Sequence, residues 1–189
     1  MMYREAPNEP NQRAILSGAV RAALFIALIT VGSYVVVPLP FSPVPVALQS
    51  GFVILAGLLL PLRWAVISVG SYLLLGALGL PLFAGGSGGL AHLVGPTGGY
   101  LVGFLPAVAV TAMIARDNLF LRAAAALAGT LIVYGVGVPW LALRLAVGAV
   151  EAISLGLLPF LPGDAVKIVA ATALAEGSRS LLPEELRRA

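Results

Sequence analysis

Long apolar runs with very few charged residues recur along this chain, and they dominate what it can fold into. The 189 residues are 60% hydrophobic and 10% charged, whereas an ordinary soluble domain carries about 25% charge. Too few polar side chains exist to cover so apolar a core, so a water-soluble globule and a disordered chain are both excluded. Because about 20 apolar residues suffice for a helix to cross a bilayer, the sequence predicts an all-α, polytopic membrane protein.

Six of these runs are predicted to be transmembrane helices packed in one compact bundle. Six spans use about 120 residues, which leaves no room for a second domain. We expect a polar cytoplasmic arm at residues 1–14 and a single six-helix transmembrane domain at 15–189. Pro139 and Trp140 are expected to mark the end of the fifth span, and 141–159 to form a short amphipathic or re-entrant piece. The predicted spans are 15–37, 47–61, 65–80, 99–115, 119–138 and 160–176.

The distribution of arginine and lysine predicts the orientation. With the N-terminus inside, eight of the 11 Lys and Arg residues fall in inner segments. Arg144 alone lies in an outer segment, and Arg21 and Lys167 lie within spans. This bias follows the positive-inside rule for an even number of spans. We expect a multi-pass protein of the cell (plasma) membrane with both termini cytoplasmic. The first run is long for a signal peptide, so we expect it to be retained as a span.

Several classes of function are excluded by residues that the chain does not contain. With no Cys and one His, it offers no disulfide, no thiolate metal site and no multi-His metal site. No G-x-x-x-x-G-K-[ST] motif is present, and the basic residues are scattered singly, so neither a bound nucleotide nor a nucleic-acid partner is indicated. His92 has no nearby acidic partner in the sequence, and we expect it to be a hydrogen-bonding residue. We expect no enzyme, no cofactor and no metal.

One pair of opposite charges lies inside a predicted span. Asp164 and Lys167 are three residues apart, so a helix places both on one face. Ionisable residues within a bilayer are costly and usually face a cavity or a partner charge. Three interpretations stay open at this point. The pair binds substrate, or it only locks two helices together, or Asp164 caps the helix start after Pro162 and Gly163.

Two predicted outer loops are rich in proline and glycine. Residues 38–49 hold four prolines and residues 84–99 hold seven glycines. Proline-rich segments are stiff and poor in N–H donors, and glycine lets the backbone approach a ligand closely. Irregular backbone near membrane depth is tolerated where it lines a cavity. We expect the two loops to cover an outward-facing pocket, with tight extracellular turns as the alternative, and we expect no continuous helix over 81–99.

Three stretches of the chain resemble the BioY family, the biotin-binding S components of energy-coupling factor (ECF) transporters. They are PLPFSPVPVALQ (38–49), YLLLGALGLPLFAGGSGGLAHLVGPTGGYLVGF (72–104) and LGLLPFLPGDAVKIVAA (155–171). The resemblance implies a six-helix subunit that binds biotin with high affinity from the outside. It also implies docking onto an energy-coupling module, a transmembrane coupling protein that carries two ATP-binding subunits. A self-sufficient biotin carrier, or an S component for another small vitamin, is the alternative.

The resemblance also implies roles for single residues. Ala19, Ala23 and Ala27 match the A-x-x-x-A docking pattern of S components, although Ala124/Ala128 and Ala171/Ala175 show the same spacing. Asp164 and Lys167 match the P-G-D-x-x-K stretch of the family's pocket. Asp164 would accept from the ureido N–H groups of biotin, and Lys167 would donate to its carbonyl or keep Asp164 ionised. Donors to the valerate carboxylate are expected from Gln49, Tyr100 and the Gly-rich loop (Gly86, Gly98), and walls from Tyr34, Phe41, Phe83 and Trp140.

Overall fold

A computed structural model of the chain describes residues 9–116 and 118–180. The described parts are mostly helical, with two short strands and two single turns of 3-10 helix at Ala84–Gly86 and Leu158–Phe160. The elements in chain order are α1 (Glu9–Tyr34), β1 (Val36–Val37), β2 (Val46–Ala47), α2 (Gln49–Leu59), α3 (Leu62–Ala77), α4 (Leu90–Val94), α5 (Gly98–Ile114), α6 (Leu119–Leu145), α7 (Ala149–Gly156) and α8 (Leu161–Ser180).

Membrane-crossing length is reached by three stretches within the described ranges. They are Gln12–Tyr34, Leu119–Leu145 and Ala149–Ser178, each apolar and at least 23 residues long. The helices α2, α3 and α5 are equally apolar but have 11, 16 and 17 residues. At 1.5 Å per residue, α2 covers only about 16 Å of a hydrocarbon core about 30 Å thick. The helices lie where the six runs predict them, while the number of spans stays a prediction.

Small residues allow the helices to pack closely. Helices α5 and α6 form the most extensive contact of the bundle. A methyl group added at Gly137 of α6 would lie 2.4 Å from the ring of Tyr100 on α5, and one added at Gly129 would lie 2.2 Å from Oγ1 of Thr111. Both glycines are therefore required by the close approach of their neighbours. The surface, by contrast, exposes large apolar side chains such as Leu143 (80% exposed), as expected of a bundle surrounded by lipid.

The expected end of the fifth span at Pro139 is wrong, because α6 continues through Pro139 to Leu145. Proline removes one intrahelical hydrogen bond, but tertiary contacts hold the turns that follow it. Leu141 is completely buried, and the indole N–H of Trp140 donates to the carbonyl oxygen of Gly95 at 2.9 Å. The helix ends at Ala146, which has the left-handed backbone (φ 55°) that closes many helices.

The described part of the predicted N-terminal arm and the two loops also have definite structure. Helix α1 begins at Glu9, inside the predicted arm 1–14, while residues 1–8 lie outside the described residues. The prolines lie in a hairpin closed by β1 and β2 (Val36 opposite Ala47). The hydroxyl of Ser42 in this hairpin donates to the Leu155 carbonyl oxygen at 2.8 Å. The absence of a continuous helix over 81–99 is confirmed, with α4 as one short helix among turns.

Candidate binding site

The two opposite charges of α8 form the polar centre of the bundle. Lys167 Nζ donates to Asp164 Oδ1 at 2.8 Å and to Ser50 Oγ of α2 at 3.0 Å. The hydroxyl of Tyr134 on α6 donates to the other oxygen, Asp164 Oδ2. The Lys167 and Asp164 side chains are only 12% and 13% exposed. The cluster therefore joins α8 to both α2 and α6, and its groups satisfy one another away from bulk water.

This geometry decides between the interpretations that the sequence left open. Asp164 is the fourth residue of α8, and its side chain pairs with Lys167 and Tyr134. Because α8 already begins at Leu161, Asp164 lies inside the helix and does not cap its start, so the helix-cap interpretation is wrong. The pair does lock helices together. It is also placed to contact a small molecule, because both charged side chains line a cavity.

The cavity lies between α2, α5, α6 and α8 and contains about 570 Å³ of empty space, counting its mouth. Its polar lining comes from Gln49, Ser50, His92, Thr97, Tyr100, Tyr134, Asp164 and Lys167, and its apolar lining includes Val44, Leu101, Phe104, Val133 and Phe160. A mainly apolar pocket with a few convergent polar groups is the usual form of a small-molecule site. Four of the sequence-predicted site residues, namely Asp164, Lys167, Gln49 and Tyr100, thus come together here.

Two neighbouring spaces define the two ends of the cavity. A smaller one, of about 310 Å³, shares Ser50, Val133, Asp164 and Lys167 with it. A wide one, which we call the vestibule, is lined by Pro43, Pro45, Ala84, Gly88, Ala91, His92, Gly95, Pro96 and Thr97. The vestibule lies between the Pro-rich hairpin and the Gly-rich segment, and it shares His92 and Thr97 with the cavity. One end of the cavity is therefore charged, and the other opens between the two loops.

Gln49 and Tyr100 contribute differently to the cavity. The hydroxyl of the buried Tyr72 donates to Gln49 Oε1 at 2.8 Å, which orients the amide so that its NH₂ group keeps its donors for another acceptor. The hydroxyl of Tyr100 donates to the Gly156 carbonyl oxygen at 2.8 Å, and its ring meets the edge of Tyr134 at 6.3 Å. Gln49 is hence an available donor, whereas Tyr100 supplies an aromatic wall with its hydroxyl hydrogen already committed.

The other three predicted site residues lie outside the lining of the cavity and shape the loops instead. Gly86 has a φ of 75° and faces the ring of Tyr34. Gly98 packs so tightly that a methyl group would lie 1.7 Å from the Leu93 carbonyl oxygen. Trp140 packs with its Cβ against Gly99, and its indole N–H bonds to the segment before α5.

The predicted aromatic walls are likewise displaced from the cavity. Tyr34 and Phe41 are more than half exposed, and the Tyr34 hydroxyl donates to the Pro81 carbonyl oxygen at 2.7 Å. Phe83 is completely buried behind the cavity, edge-on to Tyr72 at 5.7 Å. Sequence position near a helix end identifies such residues as interfacial, but it does not tell which side of the helix they occupy.

Four polar lining residues, Tyr134, Ser50, His92 and Thr97, were not predicted as site residues from the sequence. Tyr134 carried a usable signal, because a hydroxyl in the middle of an apolar span needs a partner. Ser50 directly follows Gln49, one residue further along α2. His92 was expected only to form hydrogen bonds, and burial lowers its pKa, so it is neutral near pH 7. Thr97 precedes α5 and gave no signal of its own.

The alanine stripe of α1 is on the outside of the bundle. Ala19, Ala23 and Ala27 are all exposed, whereas Phe25 and Ile29 of the same helix are buried in the core. No helix of the described chain therefore covers these alanines. In the same ranges, no group of three or more His, Cys, Asp or Glu residues is arranged to hold a metal ion.

Comparison with known proteins gives one consistent result. A model of the BioY family matches residues 7–184. The chain is 46% identical over 154 residues to a protein of Pyrococcus horikoshii named probable biotin transporter BioY, covering 82% of this chain and 91% of that one. It is 40% identical over 159 residues to the biotin transporter BioY of Thermotoga maritima, covering 82% and 92%.

A solved structure has the same fold. The crystal structure of the S-component for biotin from an ECF-type ABC transporter superimposes with a TM-score of 0.84 at 28% identity, covering 94% of this chain and 97% of that one. Three findings therefore point to the same family. They are the match of the family model over nearly the whole chain, the similarity to the two relatives and this structural likeness. This chain belongs to the BioY family.

Proposed function

We propose that this chain is the biotin-binding membrane subunit of an ECF-type transporter, which binds biotin from the external side with high affinity for ATP-driven uptake. The observation that carries the proposal is the Asp164–Lys167–Tyr134 cluster at one end of a mainly apolar cavity. Its relatives are named biotin transporters, and its structural neighbour is an S component for biotin. The chain acts in transport and not as an enzyme.

The chemistry of the cluster matches the ureido ring of biotin. Each carboxylate oxygen of Asp164 accepts one hydrogen bond from the protein and has capacity for a second, so it can accept from a ureido N–H with charge assistance. Lys167 has three hydrogens, of which Asp164 and Ser50 take two. The third is available to the ureido carbonyl. The groups are held in place before the ligand arrives, which lowers the entropic cost of binding.

The remaining walls suit the rest of the molecule. Phe104, Val133 and Phe160 are buried apolar lining residues, and they offer dispersion contacts to the thiophane ring and the valerate chain. Asp164 is the only acidic residue among the lining residues that the structure describes. With the ureido ring hydrogen-bonded to Asp164 and Lys167, the valerate chain points away from that end, and the carboxylate of biotin extends toward the vestibule. The loops 38–49 and 81–97 then lie on the external side, with both termini in the cytoplasm.

Energy for uptake comes from partners in this proposal, because the sequence has no ATP-binding motif. The partners are the transmembrane coupling protein and its two ATP-binding subunits. The exposed stripe Ala19, Ala23 and Ala27 permits the close approach of a partner helix within the bilayer. The chain resides in the plasma membrane as six spans, with the shorter α2, α3 and α5 packed between the longer helices.

Ligand binding tests the first half of the proposal. The purified full chain in detergent or nanodiscs is titrated with biotin by isothermal calorimetry, with riboflavin and thiamine as vitamins of other chemistry. We expect saturable binding of biotin near one equivalent and none of the other two. A folded protein that does not bind biotin, or that prefers another vitamin, contradicts the proposal.

Transport tests the second half. Vesicles that contain the chain alone, without ATP, are compared with vesicles that also contain an energy-coupling module and internal or external ATP. We expect biotin uptake only with the module and ATP. Uptake by the chain alone would instead identify a self-sufficient carrier, and would leave the binding site unaffected.

A further inference from the structure

Thr97 occupies the N-cap position of α5 without capping the helix. A threonine at this position ordinarily accepts a hydrogen bond from a backbone N–H two or three residues on, but the Thr97 side chain makes no such bond. Its Oγ1 lies 3.2 Å from Nε2 of His92 instead. Both residues line the cavity at the end that it shares with the vestibule. The fold has thus turned this hydroxyl away from the helix and toward the mouth of the cavity.

In the tautomer of His92 that carries its hydrogen on Nε2, both neighbouring hydroxyl groups can accept from the ring. The hydroxyl of Ser87 donates to the Ala84 carbonyl oxygen at 2.8 Å, so its oxygen meets His92 Nε2, 3.5 Å away, only as an acceptor. Nε2–H then donates toward Ser87 and Thr97 together. In this tautomer Thr97 Oγ1 accepts from His92 and keeps its own hydrogen, for which no acceptor is found among residues 9–116 and 118–180.

The His92 ring is fixed in the orientation that this network needs. It stacks on Phe83 with 5.5 Å between ring centroids and an interplanar angle of 26°. Phe83 is itself completely buried and packs against Gly76, where a methyl group would lie 2.3 Å from the Phe83 ring. The stacking on Phe83 therefore fixes one face of the imidazole, and Nε2 stays directed at Thr97.

We infer that Thr97 donates a hydrogen bond to the carboxylate of the bound ligand, and that His92 is the positioning residue that orients this donor. The inference rests on the proposed function, which places the ureido ring at Asp164 and the acid group of biotin at the opposite end. A hydroxyl that is already accepting a hydrogen bond is a stronger donor. An anionic acceptor shortens and strengthens the bond further, so this end of the site distinguishes an acid from its ester.

The experiment compares biotin with its methyl ester on three forms of the full-length protein. Thr97→Val removes the hydroxyl at nearly constant volume, and Thr97→Ser keeps it. A hydrogen bond to a charged group corresponds to roughly ten- to hundredfold in affinity. We expect Thr97→Val to weaken biotin by about that factor and the ester by less than about threefold, while Thr97→Ser keeps the wild-type preference.

The His92 variants test whether this residue acts through Thr97. Gln carries an amide N–H near the position of Nε2, so His92→Gln is expected to retain most of the preference for the acid. His92→Leu is expected to lose it. The double variant with His92→Leu and Thr97→Val should bind biotin no more weakly than Thr97→Val alone. Both substitutions remove the same hydrogen bond, the one from Thr97 to the carboxylate of biotin. A merely structural role of His92 would weaken acid and ester alike and would add to the loss from Thr97→Val.

The possible failures are distinguishable. If the wild type binds biotin but Thr97→Val weakens acid and ester equally, Thr97 does not contact the carboxylate and the inference is wrong. If instead Asp164→Asn or Lys167→Met abolishes the preference for acid over ester, the ligand lies in the reverse orientation, which also overturns it. If the wild type binds neither compound, the proposed function has failed.

Discussion

Replacing Asp164 by Asn tests the charged end of the cavity most directly. The two side chains are nearly isosteric, but the amide replaces one carboxylate oxygen by a donor. In the wild type, Lys167 and Tyr134 each donate to a different oxygen of Asp164. Whichever oxygen becomes NH₂, one of these donors then faces another donor. The variant therefore loses the negative charge and also one of the two hydrogen bonds that Asp164 accepts from Lys167 and Tyr134.

The expected losses of biotin affinity and of stability in Asp164→Asn follow from the burial of the ion pair and from the hydrogen bonds that the carboxylate makes. A hydrogen bond to a charged group contributes about 1.5–3 kcal/mol, so loss of the charged acceptor should weaken biotin by one to two orders of magnitude. Breaking a buried ion pair costs about 3–5 kcal/mol of stability. Since both side chains are about one-eighth exposed and face a cavity, we expect the lower end of that range. A loss of about 3 kcal/mol lowers the melting temperature by roughly 6–12 °C.

The assay measures biotin affinity and thermal melting on the same purified samples. Lys167→Met should also weaken binding, because it leaves Asp164 buried without its counter-charge. The double variant should be less damaging than the sum of the two single variants if the residues act as one unit. Glu151→Gln is the matched control, since it removes an exposed carboxylate of α7 that is not part of the cavity lining. Unchanged affinity in a folded Asp164→Asn protein would refute the assignment, and lowered stability alone would leave only the helix-locking role.

Three further predictions concern topology, docking and pH. Single cysteines at Phe41 and Leu90, which are 60% and 68% exposed, should react with an impermeant maleimide added outside. A cysteine at the C-terminus should not, and the reverse pattern would contradict cytoplasmic termini. Ala23→Trp should lower ATP-driven uptake by the reconstituted complex and leave biotin binding by the isolated chain unchanged, because Ala23 is exposed. Lost binding with intact assembly would show that the stripe packs within the chain. Burial lowers the pKa of His92 in the folded protein, whereas an exposed histidine in the unfolded chain has a pKa of about 6.5. His92 therefore binds a proton more readily in the unfolded chain than in the folded protein. The stability that this difference contributes is present above about pH 6.5 and should be lost as the pH falls below that value and through the lowered pKa of the folded protein. The decrease in melting temperature at low pH should be smaller in His92→Gln than in the wild type. An equal pH dependence of the melting temperature in the two proteins would refute this prediction.

Local information in the sequence was enough to predict where the helices lie and which charged residues stand at one end of the cavity. Apolar runs locate helices wherever they are long, and the boundaries of α3, α5 and α8 differ from the predicted ones by only a few residues. The spacing of Asp164 and Lys167 alone implies one helix face. Proline was misread at Pro139, because a helix interior tolerates it when packing on both sides holds the next turn. That packing includes the hydrogen bond from Trp140 to Gly95, which is 45 residues away from it in the chain.

The sequence by itself determined that this chain is an apolar helical protein with one buried charge pair, because composition and helical spacing are local properties. Only the tertiary structure decided which residues surround that pair. Ser50 meets Lys167 across 117 residues and Tyr134 meets Asp164 across 30. It also decided that Tyr100 is a wall, that Trp140 is outside the cavity, and that His92 and Thr97 form its mouth. These assignments depend on which side of each helix or loop faces its neighbours, and that is set by the close packing of glycine-rich contacts between segments distant in the chain.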